Sequence, residues 1–210
     1  MNAQHQHFFL LHGLGASGDD LAPVGRLLAE QAGIPAERVT IHAPDAPMAP
    51  VTLNNGYRMP SWFDIHGLDR SAPTDLAGIE AAAGRIALLI NERAGDEPFW
   101  LVGFSQGGVV ALRAACCTAR VPAGVMLLST WLPAPDTCTL PADRYDMPIF
   151  IGHGDADDVV ASASADRMAS HLRAAGATQV SQHRYAMAHS ICPEELGDMA
   201  VWMYAVSVME

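Results

Sequence analysis

Phe99-Trp100-Leu101-Val102-Gly103-Phe104-Ser105-Gln106-Gly107-Gly108-Val109-Val110-Ala111-Leu112 is the stretch that decides the fold. The apolar run up to Phe104 predicts a buried strand, and the small and apolar residues after Gln106 predict a helix. Between them stands G-x-S-x-G, the pattern of a tight strand-to-helix turn that holds a serine above the edge of a sheet. A chance occurrence of the pattern is the alternative, and the flanking strand and helix weigh against it. The stretch therefore predicts that Ser105 is a nucleophile.

Short apolar runs and amphipathic stretches alternate along the rest of the chain. The other predicted strands are Phe8–Leu11, Val39–Ile41, Gly124–Leu128, Ile149–Ile151 and Val180–Tyr185. The stretches between strands have helical periodicity, including a helix whose N-cap is Thr74 or Asp75. Strands that alternate with helices form a mostly parallel, twisted sheet with helices on both faces. We therefore predict an α/β-hydrolase fold in a single domain over residues 1–210, without a cap domain.

Composition excludes several classes of protein. Half of the 210 residues are hydrophobic, 17% are charged, and the net charge is −11. The 12 Lys and Arg residues form no basic stripe, so nucleic acid is not an expected partner. No apolar stretch reaches the roughly 18 residues of a membrane span, so stable membrane insertion is not expected. The four cysteines lack metal-ligand spacing and the N-terminus lacks a secretion signal, so we expect reduced thiols and a cytoplasmic protein.

The acid of the catalytic site should follow the serine in this fold, and the histidine should follow the acid. The segment 153–158, His-Gly-Asp-Ala-Asp-Asp, begins at the end of a predicted strand, where loops build sites in α/β sheets. We choose Asp157, because Asp155 lies closer to the strand and Asp158 precedes an apolar pair that should draw it away from the site.

Four histidines follow the serine, and only one of them lies in a loop after the last predicted strand. That residue is His189, which we predict to be the general base. His171 falls in an amphipathic helix, His183 falls in a strand, and His153 is expected to shape the turn that carries the aspartate.

The negative oxygen of the transition state needs hydrogen-bond donors that are already in place. Two backbone N–H groups are predicted to supply them, one from Gln106 at the start of a helix and one from Leu14 in the turn after the first strand. An ordinary glycine-rich connection is the alternative for that turn. No H-E-x-x-H or comparable cluster appears among the nine histidines, so neither a metal nor a cofactor is expected.

A long segment, 43–73, is rich in proline and has no helical periodicity. Compact domains rarely keep so long a loop unless it serves a site, so we predict that it forms a wall for the acyl group. Trp62 and Phe63 are its proposed contacts, and the alternative is that both are core residues that do not touch substrate. Because 210 residues leave no room for a cap domain, the groove should be open and suit short to medium acyl chains.

Along nearly its whole length the chain resembles the acyl-protein thioesterase and carboxylesterase family. The segments that carry the resemblance are His12-Gly13-Leu14-Gly15, Ala43-Pro44, Pro50-Val51-Thr52-Leu53-Asn54, Met59-Pro60-Ser61-Trp62-Phe63-Asp64-Ile65, Gly103-Phe104-Ser105-Gln106-Gly107-Gly108, Ser129-Thr130-Trp131-Leu132-Pro133, His153-Gly154-Asp155 with Asp157, and Met187-Ala188-His189. Two positions depart from the family pattern: Ala161 stands where proline is common, and Ala186 where glycine is common.

The resemblance implies a serine hydrolase without a lid, with Ser105, Asp157 and His189 as its triad. Leu53, Trp131 and Leu132 join Trp62 and Phe63 as expected substrate contacts. The expected partner is a small-molecule ester or thioester, and the sequence leaves a homodimer open. An acyl-protein thioesterase or a lysophospholipase acting on long-chain lipidated substrates is one alternative, and a catalytically inactive binding protein on the same fold is another.

Overall fold

A six-stranded parallel sheet forms the centre of the computed structural model, which describes residues 4–67 and 72–209. Its strands lie in the order β2-β1-β5-β6-β7-β8. Their bounds are β1 Gln6–Leu11, β2 Val39–His42, β5 Phe99–Phe104, β6 Gly124–Leu128, β7 Ile149–Gly154 and β8 Val180–Tyr185. Every neighbouring pair in this sheet is parallel, as the alternation of strands and helices predicts.

Helices cover both faces of the sheet. Their bounds are α1 Gly18–Gln31, α2 Leu76–Ala94, α3 Gln106–Cys117, α4 Ala163–Ala174 and α5 Pro193–Met209. Successive residues of a strand point to opposite faces, so Phe9 and Leu11 of β1 join one core with α2, α3 and α4, whereas Phe8 and Leu10 join a second core with α1 and α5. The predicted fold class is confirmed, and the single domain over residues 1–210 stays a prediction.

The segment 43–73 departs from the sequence prediction, because it contains regular structure. Strands β3, Met48–Val51, and β4, Tyr57–Pro60, pair as an antiparallel hairpin apart from the main sheet. Residues 68–71 of the segment lie outside the described residues. The end of the segment is anchored by Asp75, the N-cap of α2, whose carboxylate accepts hydrogen bonds from the N–H groups of Gly78 at 2.9 Å and Asp64 at 3.0 Å.

The carboxyl ends of the parallel strands lie along one edge of the sheet. The residues predicted for catalysis follow β1, β5, β7 and β8 at this edge, where α/β folds build their sites. None of the described helices is long and apolar enough to cross a bilayer.

Glu195 is a buried acid in the first turn of α5, the helix that follows the loop carrying His189. Its exposed fraction is 0%, and neither carboxylate oxygen has a hydrogen-bond partner among the described residues. Burial, with a smaller contribution from Asp198, raises the pKa of Glu195 to about 8. The folded protein therefore holds this carboxyl in its neutral form at neutral pH.

The buried acid predicts a specific pH dependence of stability. An acid whose pKa is raised by folding contributes stability below its ordinary pKa of 4.5, and this is lost as pH rises towards about 8. Between about pH 5 and about pH 8, the free energy of unfolding of the parent should therefore fall relative to Glu195→Gln by on the order of 3 kcal/mol. Urea titrations of both proteins at the two pH values measure this difference in the free energy of unfolding. Glu194→Gln, at an exposed neighbour, is the control, and an equal pH dependence in all three proteins would contradict the prediction.

Candidate active site

Ser105 occupies the turn between β5 and α3 in a strained backbone conformation. Its φ of 53° and ψ of −120° lie in a region that residues with a side chain rarely adopt. Hydrogen bonds hold the turn: the Ser105 N–H donates to the carbonyl of Leu128 at 2.9 Å, and its carbonyl accepts from Gly108 at 2.9 Å and from the Thr130 hydroxyl at 2.6 Å. The strain is therefore fixed by contacts with the neighbouring strand β6 and the residues after it.

The two glycines of G-x-S-x-G are required by close backbone contacts. A Cβ atom at Gly103 would lie 2.5 Å from the carbonyl oxygen of Gly107, and a Cβ atom at Gly107 would lie 1.9 Å from the carbonyl oxygen of Leu11. Any side chain at either position would force α3 away from the sheet. The two glycines thus let α3 begin close to both β5 and β1, and this fixes the position of Ser105 at the start of the helix.

Asp157 and His189 are brought together by the loops that follow β7 and β8. The Nδ1 atom of His189 donates to the Oδ2 atom of Asp157 at 2.8 Å, and the other carboxylate oxygen accepts from the N–H groups of Val159 at 3.0 Å and Val160 at 2.8 Å. Asp155 and Asp158 are exposed, so Asp157 is the buried aspartate of the three. This arrangement leaves Nε2 of His189 as the ring nitrogen that can exchange a proton.

The environment of Asp157 keeps it ionised. Burial alone raises the pKa of the carboxyl, but the hydrogen bonds from His189 and from the two valine N–H groups outweigh it and lower the pKa below its usual range. The His189 ring packs beside Phe104, the residue before the nucleophile, with ring centroids 4.9 Å apart. An ionised Asp157 therefore faces an imidazole that lies next to the serine turn.

His153 is a second histidine beside the same carboxylate, and its surroundings differ from those of His189. Its Nε2 atom lies 2.8 Å from the carbonyl oxygen of Val160 and 3.1 Å from Oδ2 of Asp157, and the residue is fully buried. Burial lowers its pKa, so the ring is neutral and its N–H donates to these oxygens. His153 thus shapes the aspartate turn, whereas the partly exposed His189 can meet a substrate.

The loops that carry the acid and the base are joined to each other. The N–H of Asp155 donates to the carbonyl of Tyr185 at 2.8 Å, and the N–H of Ala156 donates to that of Met187 at 3.1 Å. A Cβ atom at Gly154 would lie 2.3 Å from the Met187 carbonyl oxygen, so the close approach requires glycine. The relative position of Asp157 and His189 is therefore set by backbone contacts.

The turn after β1 lies against Ser105, the predicted nucleophile. A Cβ atom at Gly13 would be 3.4 Å from the Cβ of Ser105, so the residue that follows, Leu14, is close to Ser105 in the fold. The ring of His12 fixes this turn: Nε2 accepts from the Ala46 N–H at 2.9 Å, so Nδ1 carries the proton and donates to the carbonyl of Gly13 at 2.7 Å. The Gln106 N–H is the first of α3, one of the helix N–H groups without a partner in the helix.

The side chain of Gln106 has a role that the sequence reasoning missed. It is fully buried, its Oε1 accepts from the Trp62 N–H at 3.0 Å, and its Nε2 donates to the Ser61 hydroxyl at 3.0 Å and the Phe63 carbonyl at 2.8 Å. These bonds form a clamp between the nucleophile helix and residues 61–63. Gln106 and its partners lie more than 40 positions apart in sequence. The only sequence signal for this contact was that the chain contains both G-x-S-x-G and the segment with Ser61, Trp62 and Phe63.

Trp62 lies inside this network and not on the surface of a groove. Its exposed fraction is 4%, and its indole N–H donates to the carbonyl of His12 at 2.8 Å. Its ring also packs against the His12 ring, with centroids 5.2 Å apart. The structure thus gives Trp62 a positioning role beneath the Gly13 turn, which corresponds to the alternative in which it does not touch substrate.

A cavity of about 840 Å³ is lined by residues 63–67, 72–75 and 131–135 and by residues between 159 and 171. Of the predicted substrate contacts, Phe63, Trp131 and Leu132 line it, whereas Trp62 and Leu53 do not. Leu53 is half-buried, packs against the core and donates its N–H to the carbonyl of Ile65 at 2.8 Å. The assignment of Trp62 and Leu53 to the acyl wall is therefore not supported by their positions.

Several residues that line the cavity are bonded to the residues around Ser105 and Asp157, although Ser105 and His189 do not line the cavity itself. Phe63 accepts a hydrogen bond from Gln106, and Trp131 follows Thr130, which donates to the carbonyl of Ser105. Val159 and Val160 line the cavity and donate to Asp157. The cavity is thus connected to Ser105 and Asp157 through residues that are hydrogen-bonded to them or adjacent to their partners.

A nucleophile turn, an adjacent acid and histidine and a parallel sheet without a cap are the features of a serine hydrolase of the α/β-hydrolase class. The whole-chain comparisons agree, because the family model described as Phospholipase/Carboxylesterase matches residues 1–207. The chain belongs to this phospholipase/carboxylesterase family, whose members are hydrolases of the carboxylesterase and thioesterase type.

The names of individual relatives include both thioesterases and carboxylesterases. The chain is 36% identical to acyl-protein thioesterase 1 of Mycosarcoma maydis over 94% of this chain and 90% of that protein. It is 33% identical to an Oryza sativa subsp. japonica protein named as a probable carboxylesterase, over 96% of this chain and 78% of that one. Among solved structures, Zea mays acyl-protein thioesterase 2 superposes with a TM-score of 0.84 at 28% identity, covering 98% of this chain and 95% of that chain.

The Gln106 clamp predicts a large effect of removing its side chain. Gln106→Ala would leave the buried Trp62 N–H without a partner, which costs about 1–3 kcal/mol, and would remove one of the two hydrogen bonds that the Phe63 carbonyl accepts, the other coming from the Ser61 hydroxyl. We expect the free energy of unfolding to fall by at least about 2 kcal/mol in urea titrations. Gln182→Ala, which removes only an exposed bond to Asp166, should change it by less than about 0.5 kcal/mol. Equal stability of the two variants would show that the clamp is not structural.

Proposed function

We propose that the protein hydrolyses carboxylic esters through an acyl-enzyme on Ser105, with Asp157 and His189 completing the triad. The observation that carries the proposal is the 2.8 Å hydrogen bond between His189 and the ionised, buried Asp157, beside the strained serine turn. A serine hydroxyl is a weak nucleophile, and a histidine oriented by a carboxylate is the arrangement that activates it.

Acylation begins when the Oγ atom of Ser105 attacks the ester carbonyl. Nε2 of His189 takes the hydroxyl proton, and Asp157 keeps the imidazole in the tautomer with a proton on Nδ1 and stabilises its positive form. The oxygen that becomes negative accepts hydrogen bonds from the N–H groups of Leu14 and Gln106, which serve as the oxyanion hole. His189 then protonates the leaving alcohol or thiol, and the C–O or C–S bond breaks.

Deacylation repeats these steps with water as the nucleophile. His189 removes a proton from water, the same two N–H groups hold the oxyanion, and Ser105 leaves with the proton returned by His189. The chemistry uses side chains and backbone donors of this chain alone. The sequence expectation of catalysis without a cofactor is therefore retained in the proposal.

The cavity is the proposed site of the acyl group. Its volume of about 840 Å³ and its apolar residues Phe63, Ile65, Trp131, Leu132 and Val159 suit an aliphatic chain. We favour small esters or thioesters with short to medium acyl chains. A thioesterase for long-chain lipidated substrates is the second candidate, favoured by the size of the cavity and by the names of the relatives.

A cytoplasmic location is part of the proposal. It is supported by cysteines that are all free: Cys116, Cys117, Cys138 and Cys192. Burial raises the pKa of Cys116 to about 12, which keeps its thiol protonated and unreactive. Reduced thiols of this kind are typical of a reducing compartment.

The triad is tested by substitutions at its three positions. Ser105→Ala and His189→Ala should each remove nearly all esterase activity, and the double variant should be no worse, because the groups act as a unit. Asp157→Asn should lose at least about 10³-fold in turnover. The controls are His183→Ala and Asp155→Asn, a histidine and an aspartate outside the triad. Loss of turnover in folded His183→Ala with activity kept in His189→Ala would overturn the choice of base.

The same question can be asked without a substrate. A fluorophosphonate probe should label the parent and leave Ser105→Ala unlabelled, because the phosphorus reacts with an activated serine oxygen. Absence of labelling in the folded parent would favour the alternative of a binding protein that has kept the fold without the chemistry.

The acyl preference is tested with nitrophenyl esters from acetate to palmitate. Efficiency should rise by up to about fourfold per methylene while the chain contacts apolar wall, and should stop rising at medium length. Trp131→Ala should reduce the gain per methylene, and Leu53→Ala, outside the cavity, should not. A steady rise through palmitate would favour the long-chain thioesterase, and an unchanged profile in Trp131→Ala would remove the cavity from the acyl site.

A further inference from the structure

A cluster of metal-binding side chains lies at the opposite edge of the sheet from Ser105. His5, His7 and Glu97 each offer one ligand atom, and these atoms all lie within 4.8 Å of one another. His5 and His7 are two residues apart in extended chain, so their side chains lie on the same face of the sheet. Glu97 comes two residues before β5, the strand that pairs with β1.

The backbone that carries the cluster is held by hydrogen bonds. His7 lies opposite Phe99 in the β1–β5 pairing, and its N–H donates to the carbonyl of Pro98 at 2.9 Å. The N–H of Glu97 donates to the carbonyl of Ala94 at 2.8 Å, and the carbonyl of Glu97 accepts from Arg120 at 2.8 Å. The backbone of His7 and Glu97 is therefore fixed before any ion binds, which lowers the cost of ordering the site.

The histidine rings are oriented by neighbours, as metal-binding histidines usually are. Nδ1 of His7 lies 2.9 Å from Nε2 of His42, and the two rings stack with centroids 5.2 Å apart. Nε2 of His5 lies 2.7 Å from the Thr40 hydroxyl. The contact with His42 directs Nε2 of His7 towards Glu97, whose Oε2 atom is 2.6 Å away.

The cluster is also open to solvent. His7 is buried, but His5 is half-buried and the Glu97 side chain is 51% exposed, so an ion can enter and water can complete its coordination. Imidazole nitrogens together with one carboxylate form the donor set of zinc sites, and they suit the borderline divalent ions in general.

We propose that His5, His7 and Glu97 bind one divalent cation of this class, for which Zn²⁺ is the probe. The ion takes the place of the proton shared by Nε2 of His7 and the carboxylate of Glu97, and it links the start of β1 to the start of β5. The sequence analysis expected no metal because it considered only local motifs. Glu97 lies 90 residues after His7, so no local motif could show this site, and the proposal revises that expectation.

The site does not depend on the proposed hydrolytic function. Six residues of extended chain separate His7 from Gly13, a distance of about 20 Å at the rise of a strand. An ion at the amino edge of β1 is therefore too far away to touch the ester carbonyl. Its expected effect is on stability, because binding to the folded state alone raises the melting temperature.

Titration calorimetry of the full chain with ZnCl₂ tests the proposal. The parent should bind one Zn²⁺ at this site, and His5→Gln and Glu97→Gln should each weaken its affinity by at least about tenfold. His183→Gln is the matched control, since His183 is also half-buried and lies 3.5 Å from a carboxylate, that of Asp198. It should bind Zn²⁺ as the parent does, and Zn²⁺ should raise the Tm of the parent and control more than that of the two cluster variants.

Two results would overturn the proposal: a parent that binds no Zn²⁺, or an affinity that is the same in both cluster variants as in the parent. Circular dichroism shows whether the variants are folded, and the solvent-accessible positions of His5 and Glu97 make both substitutions tolerable. Hydrolysis of nitrophenyl acetate in the presence of a chelator should be equal in parent and cluster variants. Failure of the zinc site is therefore distinguishable from failure of the hydrolase.

Discussion

The constraint on which the rest of the structure depends is the close approach of α3 to β5 and β1. Carbonyl oxygens occupy the space that side chains would need at Gly103 and Gly107, so the helix can start only where it does. The turn between strand and helix then has room for one strained residue, Ser105, and the strain is resisted by its hydrogen bonds to β6 and Thr130. The same approach brings the start of α3 against the Gly13 turn, so the proposed nucleophile and the proposed oxyanion donors are positioned by one packing contact.

Much of the fold could be predicted because its signals are local. Buried strands such as Phe99–Phe104 are continuous apolar runs, and the parallel arrangement follows from their alternation with helices. The hairpin of β3 and β4 was missed, because Pro50 and Pro60 interrupt strands of four residues whose exposed positions give no apolar run. Strand β7 continues to Gly154, beyond its apolar residues, because pairing with β8 and not hydrophobicity determines where it ends.

The site, like the fold, contains residues that the sequence could predict and residues whose roles it could not predict. Chain order and loop position selected Asp157 and His189, and the structure places the two in hydrogen-bond contact. The roles of Gln106 and Trp62 depend on partners more than 40 residues away, and a side chain amide within a motif does not reveal which backbone groups it will satisfy. Trp62 illustrates the limit: an aromatic residue in a proline-rich loop suggests a substrate wall, whereas its indole N–H is used to hold the strand that ends in the Gly13 turn.

The two edges of the sheet share strand β1, which carries His7 at its start and leads to the Gly13 turn at its end. An ion at the amino edge could influence the proposed oxyanion donors only by moving this strand along its axis. The strand is hydrogen-bonded on both sides, to β2 from Gln6 to Phe9 and to β5 from His7 to Leu11. A shift would break both ladders at once and would press Gly107 against the carbonyl of Leu11. Because the sheet is a rigid connection with one arrangement, the proposed sites should act independently, and an ion would add stability without changing the geometry at Ser105.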